Sequence, residues 1–525
     1  MNTCSRVLHH TIRLVSKSLA IFFSVLLFFS ATTKKTFAAH EHSQHDVPAT
    51  TEEMVVVADK LDDFVRKNPS QVECMGAAEI ESRNFLQVQE VLGAMPGVDI
   101  TSDSGGLGTR ISIRGGGGSG AVLVLIDGRP ASTMQYGGVD LSSIPIDIVE
   151  KITVFKPPVP VWLGPDSAAG AIYIETRKKK HDTYEKKGKI RATGGSYGFG
   201  TLSATGQLDT ESSQYLVSGG ASHKDGTRDN SQKDQGHLNL GYTYKEDGRE
   251  LQVNGKAYIS DHGIAGPTYN PTPDAEQRYE KASLDLQYKG FTDDADYTLK
   301  GWTDAKRLDE TSQSGEKSKL DTATAGLGSD FYFSVDDDDN ELRIGGQFEQ
   351  SWVDHTLSGE HDRSSVSTHS EYNIRQEFSV YTLGGRVDYT NDFDFSPGGH
   401  LGMSHEFSET TQVKANIGYS EHVPTFSQLY QPSHGAIDQV RGNPDLDKEK
   451  IFSMSLGVEQ DIFDRHTLSV SLFRTDSMDL IKYQRDDNNI SSPLNIDQAY
   501  KQGVEATLKF VLSDKHNDII IYKKH

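Results

Sequence analysis

The side chains able to do chemistry are few in this chain, and where they cluster the pattern points away from catalysis. Gly115, Gly116, Gly117 and Gly118 form a run that could cradle a phosphate, but no Gly-Lys-Ser/Thr follows it, so a loop that bends tightly is the better reading. His40, His42 and His45 fall within six residues of a polar stretch. Imidazole is a common metal ligand, yet a solvated leader explains the same composition. Asp336, Asp337, Asp338 and Asp339 read as a solvated turn rather than a calcium loop. There is no Ser/His/Asp signature, no CxxC pair and no Walker lysine. The sequence therefore predicts no enzyme, no cofactor, no catalytic residue and no bound metal. A formal charge of −22 argues against nucleic acid, which calls for clustered Lys and Arg.

The elements that position these residues fall into four segments. Residues 1–38 read as a secretory signal peptide: Arg6, Arg13 and Lys17 precede an apolar run at 19–31, and Thr36-Phe37-Ala38 supplies a cleavage site. The run is too short to span a bilayer, which takes ~20 residues. Cys4 leaves with this peptide, so Cys74 has no intramolecular disulfide partner. Residues 39–59 read as a flexible N-terminus ending in Met54, Val55, Val56, Val57 and Ala58, a β-prone run flanked by acids that can add itself to a partner's sheet edge. Residues 60–180 read as a small α/β domain with apolar strands near 122–126 and 151–155, and residues 187–525 as a long series of amphipathic strands.

These features resemble TonB-dependent outer-membrane receptors, whose N-terminal plug sits inside a 22-stranded barrel. The resemblance rests on Leu92, Pro96-Gly97-Val98, Ile111-Ser112-Ile113-Arg114-Gly115 and Val124-Leu125-Ile126-Asp127-Gly128. It continues through Asp140-Leu141, Ile144-Pro145, Val149-Glu150-Lys151-Ile152 and Ile172-Tyr173-Ile174-Glu175-Thr176. His422-Val423-Pro424-Thr425-Phe426 and Asn443-Pro444-Asp445-Leu446 resemble the family's barrel boxes. The resemblance makes Met54 to Ala58 a TonB box and implies energised import driven by a TonB–ExbB–ExbD complex. Three departures stand out: prolines 157, 158 and 160 in a turn, Ala169-Gly170 before the last plug strand, and His422 where the box usually opens with Arg. Arg110 and Arg114 need carboxylate partners if buried inside a barrel, and with Glu150 they are the expected plug–barrel anchors.

In the second half, apolar and polar residues alternate with period two, as lipid-facing barrel strands require. Leu238, Leu240 and Tyr242 alternate with Asn239, Gly241 and Thr243; Phe452, Met454 and Leu456 alternate with Ser453, Ser455 and Gly457. Short turns near 245–249, 291–295 and 336–340 belong on the periplasmic side, longer loops near 260–277 and 358–371 outside. The run 373–390 has no turn residue where one is due, and predicts an internal deletion of a hairpin turn. About 16 strands fit, so the fold class is mostly β, an α/β plug inside an antiparallel transmembrane barrel that is C-terminally incomplete. Sixteen strands should be too narrow for this plug, or leave two unpaired edges in lipid.

The expected function is TonB-coupled uptake of a scarce ligand, most often a ferric siderophore in this family, in the outer membrane of a Gram-negative cell. Cobalamin, haem and a non-functional truncated remnant are the alternatives. A passive porin would lack the box and plug, and a signal-transducing receptor would need a further domain in the roughly 13 residues before Glu52. The partners are the TonB complex, membrane lipid and a metal-chelate ligand, with the receptor acting as a monomer. Tyr136, which could stack on a planar ligand, and His434, placed where haem-uptake members carry a ligand histidine, are the ligand-binding candidates.

Overall fold

The computed structural model describes residues 68, 70–102, 109–116, 122–132, 134–177, 185–335, 340–432, 440–462, 466–511 and 520–521. All of them belong to one compact unit, Met54–His525. Met54 to Ala58, His434 and Asp336 to Asp339 lie outside the described residues.

The N-terminal part contains β1 (Val72–Gly76), helices α1 (Ala77–Ser82) and α2 (Val88–Ala94), then β2 (Val98–Ser102), β3 (Thr109–Ile113), β4 (Leu123–Ile126), β5 (Arg129–Pro130), β6 (Val149–Phe155) and β7 (Ala171–Thr176). Five strands form one sheet in the order β1-β6-β7-β4-β5, while β2 and β3 pair separately. The β4–β7 pair is parallel and all four residues of β4 are buried. A continuous apolar run is what a strand covered on both faces requires. On α2, Val88, Val91 and Leu92 make the buried stripe, at the i, i+3, i+4 spacing of an amphipathic helix. Between β4 and β5, Asp127 (φ +50°) and Gly128 (φ +82°) form a two-residue turn with both φ values positive. Such a turn matches strand twist and favours Asp-Gly.

The remainder is an antiparallel meander. Its strands begin β8 (Glu185–Gly194), β9 (Gly200–Asp209), β10 (Ser213–Lys224), β11 (Lys233–Glu246), β12 (Arg249–Gly263) and β13 (Glu276–Phe291). There follow β14 (Asp296–Thr311), β15 (Lys317–Ser334), β16 (Glu341–His355), β17 (Gly359–Gln376), β18 (Ser379–Thr390) and β19 (Asp394–Ser408). The last long strands are β20 (Thr411–His422), β21 (Glu449–Ile462), β22 (His466–Arg485) and β23 (Ser491–Val511), with helix α3 (Phe426–Tyr430) between β20 and β21. The sixteen long strands agree with the sequence reading. No helix among the described residues is long and apolar enough to cross a membrane. Leu238 and Leu240 are 47% and 51% exposed with Asn239 between them at 5%. Leu327, Phe348, Leu383, Leu401, Leu456 and Val504 stand equally bare on other strands. A belt of that extent on the outer face is a lipid surface.

Three expectations are corrected. The missing hairpin is present: Gln376 pairs with Ser379, and residues 377–378 make the turn between β17 and β18. Neither turn residue has positive φ, so the turn needs no Gly or Asn and left no mark in the sequence. The loop expected at 358–371 is strand, since β17 starts at Gly359 and the true connection is residues 356–358. Finally, the sixteen strands are neither left open nor too narrow. The strand order closes through β24 (Ile520–Ile521), which pairs with Phe510 and Val511 of β23. The wall makes room with glycine: a Cβ at Gly384, Gly418 or Gly457 would come within 2.7 Å of Val161, Pro158 or Gln71 of the plug.

Candidate functional site: the plug seat and the outer mouth

Arg114, at the end of β3, is held at φ +53° and its side chain is 1% exposed. Its Nε donates to Glu505 on β23 at 2.8 Å, Nη1 to the Pro157 carbonyl at 3.1 Å, and Nη2 to Ser471 on β22 at 2.9 Å and to Gln71. The guanidinium also lies 4.7 Å from the Phe473 ring centroid. Lys156 reaches the same Glu505 at 3.4 Å and Glu73 at 3.1 Å. Burial pulls the Arg114 pKa below the usual guanidinium range, and the Glu505 carboxylate opposes it. Two glycines admit this contact: a Cβ on Gly97 would strike Glu505, and one on Gly116 would strike Lys501.

Arg129 is the corresponding charge on the opposite side of the plug, immediately after the Asp127-Gly128 turn. It pairs with Asp304 on β14 at 2.6 Å and with Asp285 on β13, and Lys256 joins Asp285 at 2.7 Å. Burial acts against its charge, and the two carboxylates outweigh that, lifting its pKa. The Asp127 carboxylate ties the turn inward, accepting from the Thr176 amide at 2.9 Å and hydroxyl at 2.7 Å.

The proline-rich turn seats the plug against β17–β20. Pro158 faces Gly418, and Arg386 on β18 donates to the Val161 carbonyl at 2.9 Å. Trp162 packs edge-on against Phe155 at 5.9 Å, with the Arg343 guanidinium of β16 4.1 Å from its ring centroid. His422, the departure from Arg in the barrel box, meets plug residue Asp166 through Nδ1 at 2.7 Å. Burial raises the Asp166 pKa, but the neighbouring His422 outweighs it and holds the carboxyl below its ordinary value. Gly170 (φ +117°) is required where it stands, because a Cβ there would lie 2.7 Å from Ile113 and 2.9 Å from the Phe155 carbonyl.

The sequence-selected anchors fare differently. Arg114 and its partners form the densest contact, whereas Arg110 lies exposed on β3 without the burial that argued for it. Glu150 is partly buried on β6. Arg129, Asp166 and the wall carboxylates were missed: Arg129 reads as an ordinary polar residue after a turn, and its partners lie more than 150 positions away.

At the rim bearing the longer connections, Tyr258, Tyr279, Leu308, Leu320, Val353 and Phe426 pack together, with Met134, Tyr136 and Tyr430 against them. Helix α3 sits over the plug apex: the Phe426 and Ser427 amides donate to the Met134 and Gln135 carbonyls at 2.9 and 2.8 Å. Thr425 and Gln428 form a capping box that fixes its start. His361 stacks on Tyr430 with ring centroids 4.0 Å apart. Arg363 lies 4.8 Å from the Phe426 centroid, tied to Asp392 at 2.6 Å and to the Pro424 carbonyl at 3.0 Å. Tyr136 is thus placed in the collar between plug and mouth, and burial raises its phenol pKa, keeping it protonated. Cys74 is free, half-buried and 3.4 Å from the Thr153 hydroxyl; burial pushes its thiol up to about 11, so it is inert at neutral pH.

A plug charged at its flanks and seated in a strand cylinder with an apolar outer belt defines a plugged β-barrel. Residues 180–517 match the family model "TonB dependent receptor-like, beta-barrel" and residues 65–171 match "TonB-dependent Receptor Plug Domain". The chain belongs to the TonB-dependent receptors, a family of outer-membrane transporters rather than enzymes. It is 25% identical over 513 residues to the vitamin B12 transporter BtuB of Photobacterium profundum, covering 92% of this chain and 79% of that one. It is 23% identical over 535 residues to an iron-regulated outer membrane virulence protein of Vibrio cholerae, with the same coverage of 92% and 79%. Among solved structures, the siderophore receptor PirA of Pseudomonas aeruginosa superposes with a TM-score of 0.71 at 20% identity, covering 86% of this chain and 85% of that one. The ferric enterobactin receptor PfeA of the same organism gives 0.71 at 18% identity, covering 88% and 80%. At these identities the two structures establish the fold alone.

Proposed function

We propose that this receptor imports a ferric siderophore, with the aromatic collar at the outer mouth as its first contact. The observation that carries the reading is the combination of Tyr136, Tyr430 and His361 at one rim, with Phe426 and the buried Arg363–Asp392 pair packed beside them. Flat rings stack on aromatic chelating groups. In this reading residues 1–38 are removed on export, residues 39–59 carry the TonB box, residues 60–180 form the plug and residues 187–525 the pore. Ligand binding shifts the plug and frees Met54, Val55, Val56, Val57 and Ala58, which pair as a strand with TonB. His434, four positions beyond α3 in the sequence, is the second ligand-binding candidate of this reading.

Cobalamin is the second reading, favoured by the similarity to a vitamin B12 transporter. Growth rescue decides between them. A receptor-deficient host expressing this chain is supplied with ferric catecholates, ferric hydroxamates, haem or cyanocobalamin as the limiting nutrient. Rescue on a ferric chelate is the expected outcome, and rescue on cyanocobalamin alone rejects the siderophore reading.

A further inference from the structure

Three small voids line up between the plug and one wall of the barrel. The outermost lies beside Tyr136 and Asp140 and is closed by Tyr279, Lys281 and Lys306. The second is bordered by Arg129, Lys281 and Ser283, and the third by Asp127, Arg129, Gln252 and Asp285. Lys281 borders the first two and Arg129 the last two, so the series runs along β12–β15 from the mouth toward the short-turn end of the barrel.

Two features of this seam bear on passage. Its barrel side interleaves charged and polar side chains (Lys256, Lys281, Lys306, Gln252, Asp285) with apolar ones such as Tyr258, Leu308 and Trp302. It also holds buried polar atoms with no partner among the described residues: both amide atoms of Gln252, at 2% exposure, and the hydroxyl of Ser283, at 8%. Most buried polar side chains are hydrogen-bonded, so an orphaned amide and hydroxyl side by side with voids mark a surface built to meet something polar. The ion pairs across the seam are those of Arg129 with Asp285 and Asp304. The neighbouring bonds are long, 3.4 Å from Gln287 to the Asp127 carbonyl and 3.3 Å from Lys281 to Ser143.

We propose that this seam is the route by which hydrophilic solutes pass the plug, opened when Arg129 leaves Asp285 and Asp304 while the Arg114–Glu505 side stays shut. The proposal rests on the chain being a transporter, but it specifies a wall and a latch that the transport reading leaves open.

The test measures thiol reactivity and needs no knowledge of the ligand. The full chain carries Cys4→Ala and Cys74→Ala with a reporter at Ser283→Cys on the seam or at Ser453→Cys on β21, and is folded in detergent as shown by heat-modifiable migration. The probe is a cationic, membrane-impermeant methanethiosulfonate. Asp285→Asn with Asp304→Asn, and separately Arg129→Gln, are expected to speed labelling at position 283 about tenfold and to leave position 453 within about twofold. Either latch variant that folds gives the answer, so loss of one to misfolding leaves the other. Unchanged labelling at 283, or equal acceleration at both positions, overturns the proposal. Failure to transport a siderophore would leave these rates untouched, so the two readings fail separately.

Discussion

The plug meets its barrel at two charged walls that solve the same problem differently. At β22–β23, Arg114 spends its donors on a carboxylate, a hydroxyl, an amide oxygen and a carbonyl, and Lys156 reinforces the same Glu505. At β13–β14, Arg129 has two carboxylates but leaves Nη2 without a hydrogen bond, beside the orphaned Gln252 and Ser283. Both walls neutralise a buried cation; only at the first does every guanidinium nitrogen have a hydrogen-bond partner. A complete network resists being pulled apart piecemeal, because each lost partner strands a buried charge. An incomplete one has less to lose. The contrast makes the first wall an anchor and the second a latch.

That contrast can be broken by substitution. Glu505→Ala strands Arg114, leaves Lys156 with Glu73 alone, and is expected to cost about 3–5 kcal/mol of plug stability, read as the urea midpoint of tryptophan fluorescence. Asp304→Asn leaves Asp285 in place and should cost only about 1–2 kcal/mol in the same titration. Equal losses would erase the distinction between anchor and latch. A step smaller, Gly418→Val forces a side chain into Pro158 and should cost about 1–3 kcal/mol by overpacking, whereas valine at Gly385, whose Cβ meets nothing within 4 Å, should be silent.

Acid sharpens the comparison from a third side. The Asp166 pKa is depressed in the folded state, so its contribution is fully present above the unfolded carboxylate value of about 3.9 and is lost as pH falls through the folded value. Plug stability measured from pH 6 downward should therefore fall below about pH 4 in the parent, and less steeply in Asp166→Asn. The smallest effect concerns Cys74: with its thiol raised to about 11, alkylation by iodoacetamide at pH 7.5 should be negligible in the folded protein and rapid in urea.

Much of the architecture was legible in the chain. Period-two alternation through residues such as Leu238, Asn239 and Leu240 gave the strands and their outer face, because lipid on one side and polar groups on the other impose that pattern. The Asp127-Gly128 turn and the Pro96-Gly97-Val98 run marked the plug, since both depend on backbone conformations few residues tolerate. The turn at 377–378 escaped notice because ordinary φ values ask for no special residue. Barrel closure escaped because it depends on two residues of β24 and on wall glycines whose meaning appears only when Val161, Pro158 and Gln71 face them. The site was half visible. Arg114 stood out in its motif, but Arg129, Asp166 and His422 acquire partners only through tertiary contacts, which no local pattern encodes.

The most direct measurement of the central claim is uptake of a radiolabelled ferric catecholate by cells expressing the parent chain or Val56→Pro. Proline removes a backbone donor from the segment assigned to pair with TonB. Surface binding equal to the parent with uptake reduced to background is the result expected of a TonB-coupled receptor. Uptake that persists at the parental rate in Val56→Pro would contradict it.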